Sequence, residues 1–344
     1  MDGKENIMET MRINRLPAIT WNRMDINDIP VNLPKLSDAE LAIDTEKATR
    51  ATTALDVKTG AGENADVIFA GLPVYSVKTE AGETLETLVE WKSSGTQGAV
   101  LNVIAGEGST VTLYTHLKSG EDDTTALRLL LNLEKNAKIR LVELLEPGKN
   151  GVLVHDLGGN VGENADIEVL HLYLGSGDIY SGCRMDLVGE KANFTYQAGY
   201  LGKGSQLLDV NLIANHFGKN TTCNLRADGT LKDQAQKTFR GTIDFKRGCK
   251  GSVGAEQENV LLLGEEIVNK TIPLILCAEE DVQGDHGATI GELDEDTLFF
   301  FAARGIDPLT AENILTREKL YRLAEAIGRE DVVEMARKAI EEVL

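Results

Sequence analysis

The chemistry-bearing residues of this chain are few and scattered. Four cysteines, Cys183, Cys223, Cys249 and Cys277, spread over nearly a hundred residues without a C-x-x-C pair. That spacing excludes a zinc ribbon and a thioredoxin-type redox centre. Taken singly, each thiol reads first as a small buried apolar group. The five histidines, His116, His155, His171, His216 and His286, have no companion at i+2 or i+4. No local metal motif of the cupin or zincin kind is formed. The densest polar cluster is Cys277-Ala278-Glu279-Glu280-Asp281-Val282-Gln283-Gly284-Asp285-His286-Gly287-Ala288-Thr289. Its thiol, imidazole and carboxylates have the donor types that hold iron or an iron–sulfur cluster. The same residues also read as a solvated acidic turn pinned by His286, and local chemistry leaves both readings open.

Other reaction classes find no support. There is no G-x-x-x-x-G-K-[ST] loop for nucleotide hydrolysis and no G-x-S-x-G elbow for a serine hydrolase, while Gly202-Lys203-Gly204-Ser205 lacks the upstream glycine of a phosphate loop. With 55 acidic and 35 basic residues the net charge is -20, which opposes nucleic acid and anionic membrane. No apolar run reaches the roughly 20 residues needed to span a bilayer, and Met1-Asp2-Gly3-Lys4-Glu5 does not open like a signal peptide. A cytoplasmic protein whose thiols are free is expected.

The elements that must position the cluster come from a repeat. Six short turns, Gly106-Glu107-Gly108-Ser109, Glu134-Lys135-Asn136-Ala137, Gly162-Glu163-Asn164-Ala165, Gly189-Glu190-Lys191-Ala192, Gly218-Lys219-Asn220-Thr221 and Gly248-Cys249-Lys250-Gly251, begin 28, 28, 27, 29 and 30 residues apart. Each precedes an alternating segment such as Ile139-Arg140-Leu141-Val142-Glu143-Leu144, the pattern of a strand with one buried face. Gly and Asn suit the tight turn, and a small fourth residue lets successive turns stack. The period predicts a mainly β fold: a parallel β-helix or solenoid over 95–290, with a β-sandwich as the alternative. An unpaired terminal edge calls for a cap or a partner.

Residues 1–94 read as an irregular N-terminal region whose first dozen residues are mobile. Within it Ser37-Asp38-Ala39-Glu40 resembles a capping box and Leu72-Pro73-Val74-Tyr75-Ser76-Val77 a strand. From 291 to 344 the composition turns helical. Asp294 caps a helix over Glu295–Arg304 ended by Gly305, and Asp307-Pro308 opens a second. Thr316 precedes a third over Arg317–Ile327 closed by Gly328, and the fourth, Arg329–Leu344, aligns Val332, Met335, Ala336, Ala339, Ile340 and Val343 on one face. Such a bundle can cap the solenoid, dock a partner, or do both.

At the polar cluster the sequence resembles the SufB/SufD family of iron–sulfur assembly scaffolds. The stretches that carry the likeness are Phe239-Arg240-Gly241, Ala255-Glu256-Gln257-Glu258-Asn259 with Leu261-Leu262-Leu263, Asp281-Val282 leading to His286-Gly287-Ala288-Thr289-Ile290-Gly291, Leu293-Asp294-Glu295, Leu298-Phe299-Phe300 and Arg304-Gly305-Ile306. The resemblance covers roughly residues 95–344 and implies a non-catalytic scaffold. It would be dimeric, with itself or with SufB, and would bind iron or a transient iron–sulfur cluster at the interface. His286 falls on the SufD-type histidine of that interface, with Asp285 beside it and Cys249 and Cys277 as further candidate ligands. Ile267 follows Gly264-Glu265-Glu266 where SufB-type members carry a sulfur-accepting cysteine, and Gly284 stands where SufD-type members often have one, so the sulfur acceptor is in doubt. The resemblance also makes the C-terminal helices, with Leu298, Phe299, Arg304, Ile306 and Pro308, the docking site of a SufC-type ATPase; no nucleotide is expected on this chain. An adaptor for SufC that holds no metal, and a carbohydrate-active β-helix enzyme, are the competing readings. The second lacks both a secretion signal and an aromatic groove.

Overall fold

The computed structural model of the chain describes residues 10–20, 23–92 and 94–344. Five short strands come first: β1 (Met11–Ile13), β2 (Ile29–Val31), β3 (Ser37–Asp38), β4 (Leu41–Ile43) and β5 (Ala48–Ala51); a turn of 3-10 helix over Glu63–Ala65 then leads into α1 (Asp66–Phe69). Sixteen strands follow in pairs: β6 (Val74–Lys78) and β7 (Thr84–Trp91), β8 (Thr96–Ala105) and β9 (Thr110–Lys118), β10 (Thr124–Leu133) and β11 (Lys138–Glu146), β12 (Val152–Val161) and β13 (Asp166–Tyr173). The remaining pairs are β14 (Asp178–Leu187) and β15 (Asn193–Gly202), β16 (Leu207–His216) and β17 (Thr222–Lys232), β18 (Gln236–Phe245) and β19 (Ser252–Leu263), and β20 (Val268–Cys277) and β21 (Val282–Gly291). Helices α2 (Glu295–Ala302), α3 (Pro308–Glu325) and α4 (Glu330–Val343) close the chain.

Each pair is one turn of a β-solenoid. The even-numbered strands from β6 to β20 stack in parallel in one sheet, and the odd-numbered strands from β7 to β21 in the other. The period is visible in the register, because Glu143 of β11 lies opposite His171 of β13, one turn and 28 residues later. At the corners the third turn residue, Gly108, Asn136, Asn164, Lys191, Asn220 or Gly251, has positive φ. Its N–H donates to a carbonyl of the next turn, as Asn136 N to Glu163 O (2.9 Å) and Gly251 N to Asp281 O (2.7 Å). The last corner is therefore Cys249-Lys250-Gly251-Ser252, one residue beyond the repeat expected from Gly248. The fourth turn residue points inward, and Ser109, Ala137, Ala165, Ala192, Thr221 and Ser252 are all fully buried.

The lumen between the sheets is filled by inward-facing Leu, Val, Ile and aromatic side chains, each contributing roughly 1.5–3 kcal/mol by removal from water. The outer faces are covered as well. Val142, Leu144, Leu170, Leu172 and Leu201 point outward from the odd-strand sheet and pack under Leu320, Leu323, Val332, Ala336 and Ile340 of α3 and α4. On the other flank, Val100, Ala126, Leu130 and Val154 pack under Ile13, Leu33, Ile68 and Phe69 of the N-terminal region. This region is bound by deep polar anchors: Asn14 Nδ2 donates to Asp209 Oδ1 (2.7 Å), and Arg240 donates to Ile26 O (2.6 Å) and Asp209 (2.8 Å). The covered outer face explains why alternation in these strands is blurred.

Several local expectations are corrected. Ser37-Asp38 does not cap a helix; it forms β3 and pairs with β8. Mobility was expected through residue 12, yet Met11 is already buried in β1, paired with β2; residues 1–9 lie outside the described ones. The second and third C-terminal helices are one, α3, with Thr316 fully buried in its middle. The caps at Asp294 and Asp307 form as expected, accepting from Thr297 N (2.6 Å) and Thr310 N (3.0 Å).

The two ends of the solenoid differ. At the N-terminal end β4 and β5 lie antiparallel on β7 and β6. At the C-terminal end β20 and β21 have no further strand beyond them among the described residues.

Candidate functional site

The open C-terminal edge carries the residues singled out in the sequence. Asp285 and His286 lie in the middle of β21, opposite Ala255 and Glu256 of β19, and both are exposed. A strand alternates its side chains. Val282 packs on the core and a Cβ at Gly284 would meet Phe245 at 2.9 Å, so the even positions, His286 among them, face the lumen end. Asp285 points the other way, with Gln283 Nε2 donating to its Oδ2 at 3.1 Å. The strand therefore holds His286 and Asp285 side by side in sequence but on opposite faces.

Cys277 ends β20, exposed, with its Sγ donating to Glu279 O at 3.0 Å. Cys249 is buried in the adjacent corner, where burial pushes its thiol up. The segment after Cys277 is tied to that corner by Glu279 Oε2, which accepts from Gly248 N at 2.8 Å, and by Asp281 O. The two thiols thus share one corner of the open end. Ile267 packs against the core at the start of the last turn.

Directly beneath this edge the lumen becomes polar. Glu256 and Glu258 point inward from β19 and are almost fully buried. Glu258 accepts from Tyr200 Oη (3.0 Å) and Thr271 Oγ1 (2.6 Å) and pairs with Lys237 Nζ. Burial lowers the Lys237 ammonium. Glu256 has no cationic partner among the described residues, and burial, with Glu258 adding to it, pushes its carboxyl up to about 8.

A second polar group sits deeper and was missed by looking for local spacing. Glu143 (β11), His155 (β12) and His171 (β13) are fully buried, and one donor atom from each lies within 4.8 Å of the others. His171 Nε2 lies 2.7 Å and His155 Nε2 3.0 Å from the same Glu143 Oε2. Thr115 Oγ1 donates to the other oxygen at 2.8 Å. The His171 Nδ1 meets Tyr173 Oη at 2.8 Å and Tyr196 Oη at 3.2 Å, and the His155 Nδ1 meets Ser181 Oγ at 3.3 Å. Burial tends to raise the Glu143 carboxyl, but the two imidazoles outweigh it and hold it well below the usual range; burial lowers His171. The signal available in sequence was the repeat itself, since 143 and 171 differ by one turn. His216, by contrast, is pushed down to about 4 by burial and stacks on Phe245 as part of the core.

On the C-terminal helices, α2 buries no residue. Phe299 is 73% exposed and Phe300 52% on α2, and Leu309 is 63% exposed at the start of α3. Arg304 stacks over Phe300 at 3.5 Å, Ile306 and Leu298 are half-buried, and Pro308 is the exposed first residue of α3. Leu298 and Pro308 line a groove of about 210 Å³ against Leu262 and Leu263 of β19. No helix among the described residues is long and apolar enough to cross a membrane.

The family model described as SUF system FeS cluster assembly, SufBD core domain, matches residues 89–319. Similar curated proteins include the iron-sulfur cluster assembly protein SufD of Bacillus subtilis (strain 168), 20% identical over 336 residues that cover 89% of this chain and 76% of that protein. SufD of Escherichia coli (strain K12) is 23% identical over 315 residues, covering 89% of this chain and 70% of that protein. A SufBD family protein of Staphylococcus saprophyticus is 25% identical over 239 residues; the match takes in 68% of this chain but only 51% of that longer protein.

Proposed function

The chain belongs to the SufBD family of the SUF system for iron–sulfur cluster assembly, and from that premise we propose that it is a cytoplasmic, non-catalytic scaffold whose open β20/β21 edge pairs with a second SufBD subunit. The partner subunit is a second copy of this chain or a SufB protein. Pairing would bring the exposed His286 of one subunit against the edge of the other, where Cys277 and Cys249 share a corner and Asp285 lies on the neighbouring face. These donors suit iron or a nascent cluster. The observation that carries the reading is the edge itself: every residue of β21 after Val282 is exposed on a strand with one unpaired row of N–H and C=O groups, and such an edge pairs unless something blunts it.

The apolar surface of Phe299, Phe300 and Leu309, with the half-buried Leu298 and Ile306 and with Arg304 and Pro308 at its rim, is suited to dock a SufC-type ATPase. Because α3 and α4 are seated on the flank of the odd-strand sheet, force applied there would reach the solenoid as a rigid body. The ATPase would supply the hydrolysis and this chain would transmit the work. With Ile267 at the start of the last turn, sulfur would be delivered by another protein or accepted by Cys249 or Cys277.

Size-exclusion chromatography with light scattering, followed by anaerobic reconstitution with iron and sulfide, tests this. A dimer that gains cluster absorption, weakened severalfold by His286→Ala, is expected. A strict monomer at micromolar concentration, tested alone and with SufB, would refute the pairing. Unchanged iron and sulfide content in H286A would remove His286 from the site.

A further inference from the structure

The Glu143–His155–His171 group lies in the lumen at β11 to β13. It is separated from β21 by four to five ladder steps, about 19–24 Å at the usual strand spacing. We propose that these three side chains bind one divalent cation of the ferrous or zinc type inside the solenoid, independently of anything assembled at the open edge.

Charge balance is the first argument. Other buried carboxylates that ion-pair in this molecule have a permanent cation: Asp209 has Arg240, Asp156 has Arg128 and Glu258 has Lys237. Glu143 pairs only with two imidazoles among the described residues, at zero exposure. With both imidazoles neutral the carboxylate would stand without a balancing charge, at a cost of several kcal/mol, and a bound dication supplies that charge.

Geometry is the second. Both imidazoles bring Nε2 to the same carboxylate oxygen, yet the His155 Nε2, 3.0 Å away, is off the line that a hydrogen bond requires and has no hydrogen-bond partner. This is the arrangement expected when donors converge on a point rather than on one another. Ligands about 2.1 Å from a tetrahedral ion stand about 3.4 Å apart, so the observed 2.7 and 3.0 Å contacts would open by about 0.7 and 0.4 Å to admit one.

The surrounding hydroxyls are the third. Metal-bound imidazoles are oriented through their other ring nitrogen. Here both Nδ1 atoms already meet hydroxyls, Ser181 for His155 and Tyr173 with Tyr196 for His171. Tyr173 Oη in turn contacts Ser181 Oγ (2.9 Å) and Tyr196 Oη (3.0 Å), which locks both rings into one network. Two neutral imidazoles and a carboxylate are a borderline donor set, favouring Zn²⁺ or Fe²⁺ over Ca²⁺ or Mg²⁺. The ion would join three consecutive strands and enter during folding.

The protein should be unfolded in denaturant with chelator, refolded with excess Zn²⁺ or Co²⁺, and washed with chelator before elemental analysis. One ion per chain is expected to remain. Cobalt should show the intense visible bands of a low-coordinate site. X-ray absorption of the zinc form should show nitrogen and oxygen ligands including two imidazoles. Glu143→Gln and His171→Gln, which preserve volume, should lower the retained metal at least tenfold while keeping the β-sheet circular dichroism. His286→Ala should retain its ion, which separates the lumen from the edge. Folded wild-type protein without a retained ion, a sulfur-dominated ligand shell, retention in both Gln variants, or loss in H286A would each overturn the proposal.

Discussion

Glu256→Gln isolates the energetic cost of the polar lumen beneath the open edge. The Glu256 carboxyl is 5% exposed, lies against Gly241, where a Cβ would come within 1.9 Å of its Oε1, and has no cationic partner among the described residues. In the folded chain burial raises it from 4.5 to about 8; in the unfolded chain it ionises near 4.5. Between these values the folded state keeps a proton that the unfolded state releases, so stability is greatest below about pH 4.5 and falls as pH rises through neutrality. The loss is complete above about pH 8. At 1.36 kcal/mol per pH unit it amounts to about 3 kcal/mol at pH 7 and nearly 5 above pH 8. Glutamine has the same shape and nothing to ionise. With a urea slope of about 3 kcal/mol/M for a chain of this size, E256Q should unfold about 1 M higher at pH 7. The gain should shrink toward zero near pH 5. The assay is paired urea denaturation of variant and wild type across pH 5–8.5, read as the difference between their midpoints. A difference that does not change with pH over that range would refute the assignment of a raised, proton-retaining carboxyl at this position.

Arg240→Ala should destabilise the chain by about 3–5 kcal/mol, because it strands the buried Asp209 and frees the Ile26 carbonyl; denaturant midpoints measure it, and a cost below 1 kcal/mol would mean that the N-terminal region is not anchored there. Gly182→Ala would place a Cβ 2.1 Å from Ala61 N and 2.5 Å from the Gly60 carbonyl carbon, so a loss of several kcal/mol and lower soluble yield are expected, with limited proteolysis reporting release of the N-terminal flank. Phe299→Asp, at an exposed position of α2, should abolish co-purification with a SufC-type ATPase without moving the melting temperature; retained binding would shift the docking surface elsewhere.

What could be read from the sequence was what is set locally. The 28-residue spacing, the small fourth turn residue and the Asp294 and Asp307 caps each depend on neighbours within a few positions or one turn, and all appear in the structure. Thr316 misled because its cap-like type was overridden by burial in α3 against the solenoid. Ser37 misled because an available edge of β8 recruited it into a strand. The N-terminal flank was illegible since its anchors are set by tertiary packing, as with Asn14 and Asp209, 195 residues apart. Glu143 and His171 were visible as residue types and invisible as a pair. Their proximity depends on which residues the ladder places opposite one another, and on the inward phase of each strand. In a solenoid the spacing that makes a site is the length of a turn.

The unlike ends of the solenoid decide what kind of assembly the chain can enter. The short β4 and β5, three and four residues, run antiparallel across one end, whereas β20 and β21, ten residues each, have no strand beyond them among the described residues, so the C-terminal end offers the longer edge. Two chains joined bare end to bare end would use up both of those long edges and leave only the short β4 and β5 outside. Under the proposed pairing, self-association through that edge would close at two by a twofold axis rather than propagate into a fibre, and any protein that took the same edge would compete with the second copy instead of extending a chain.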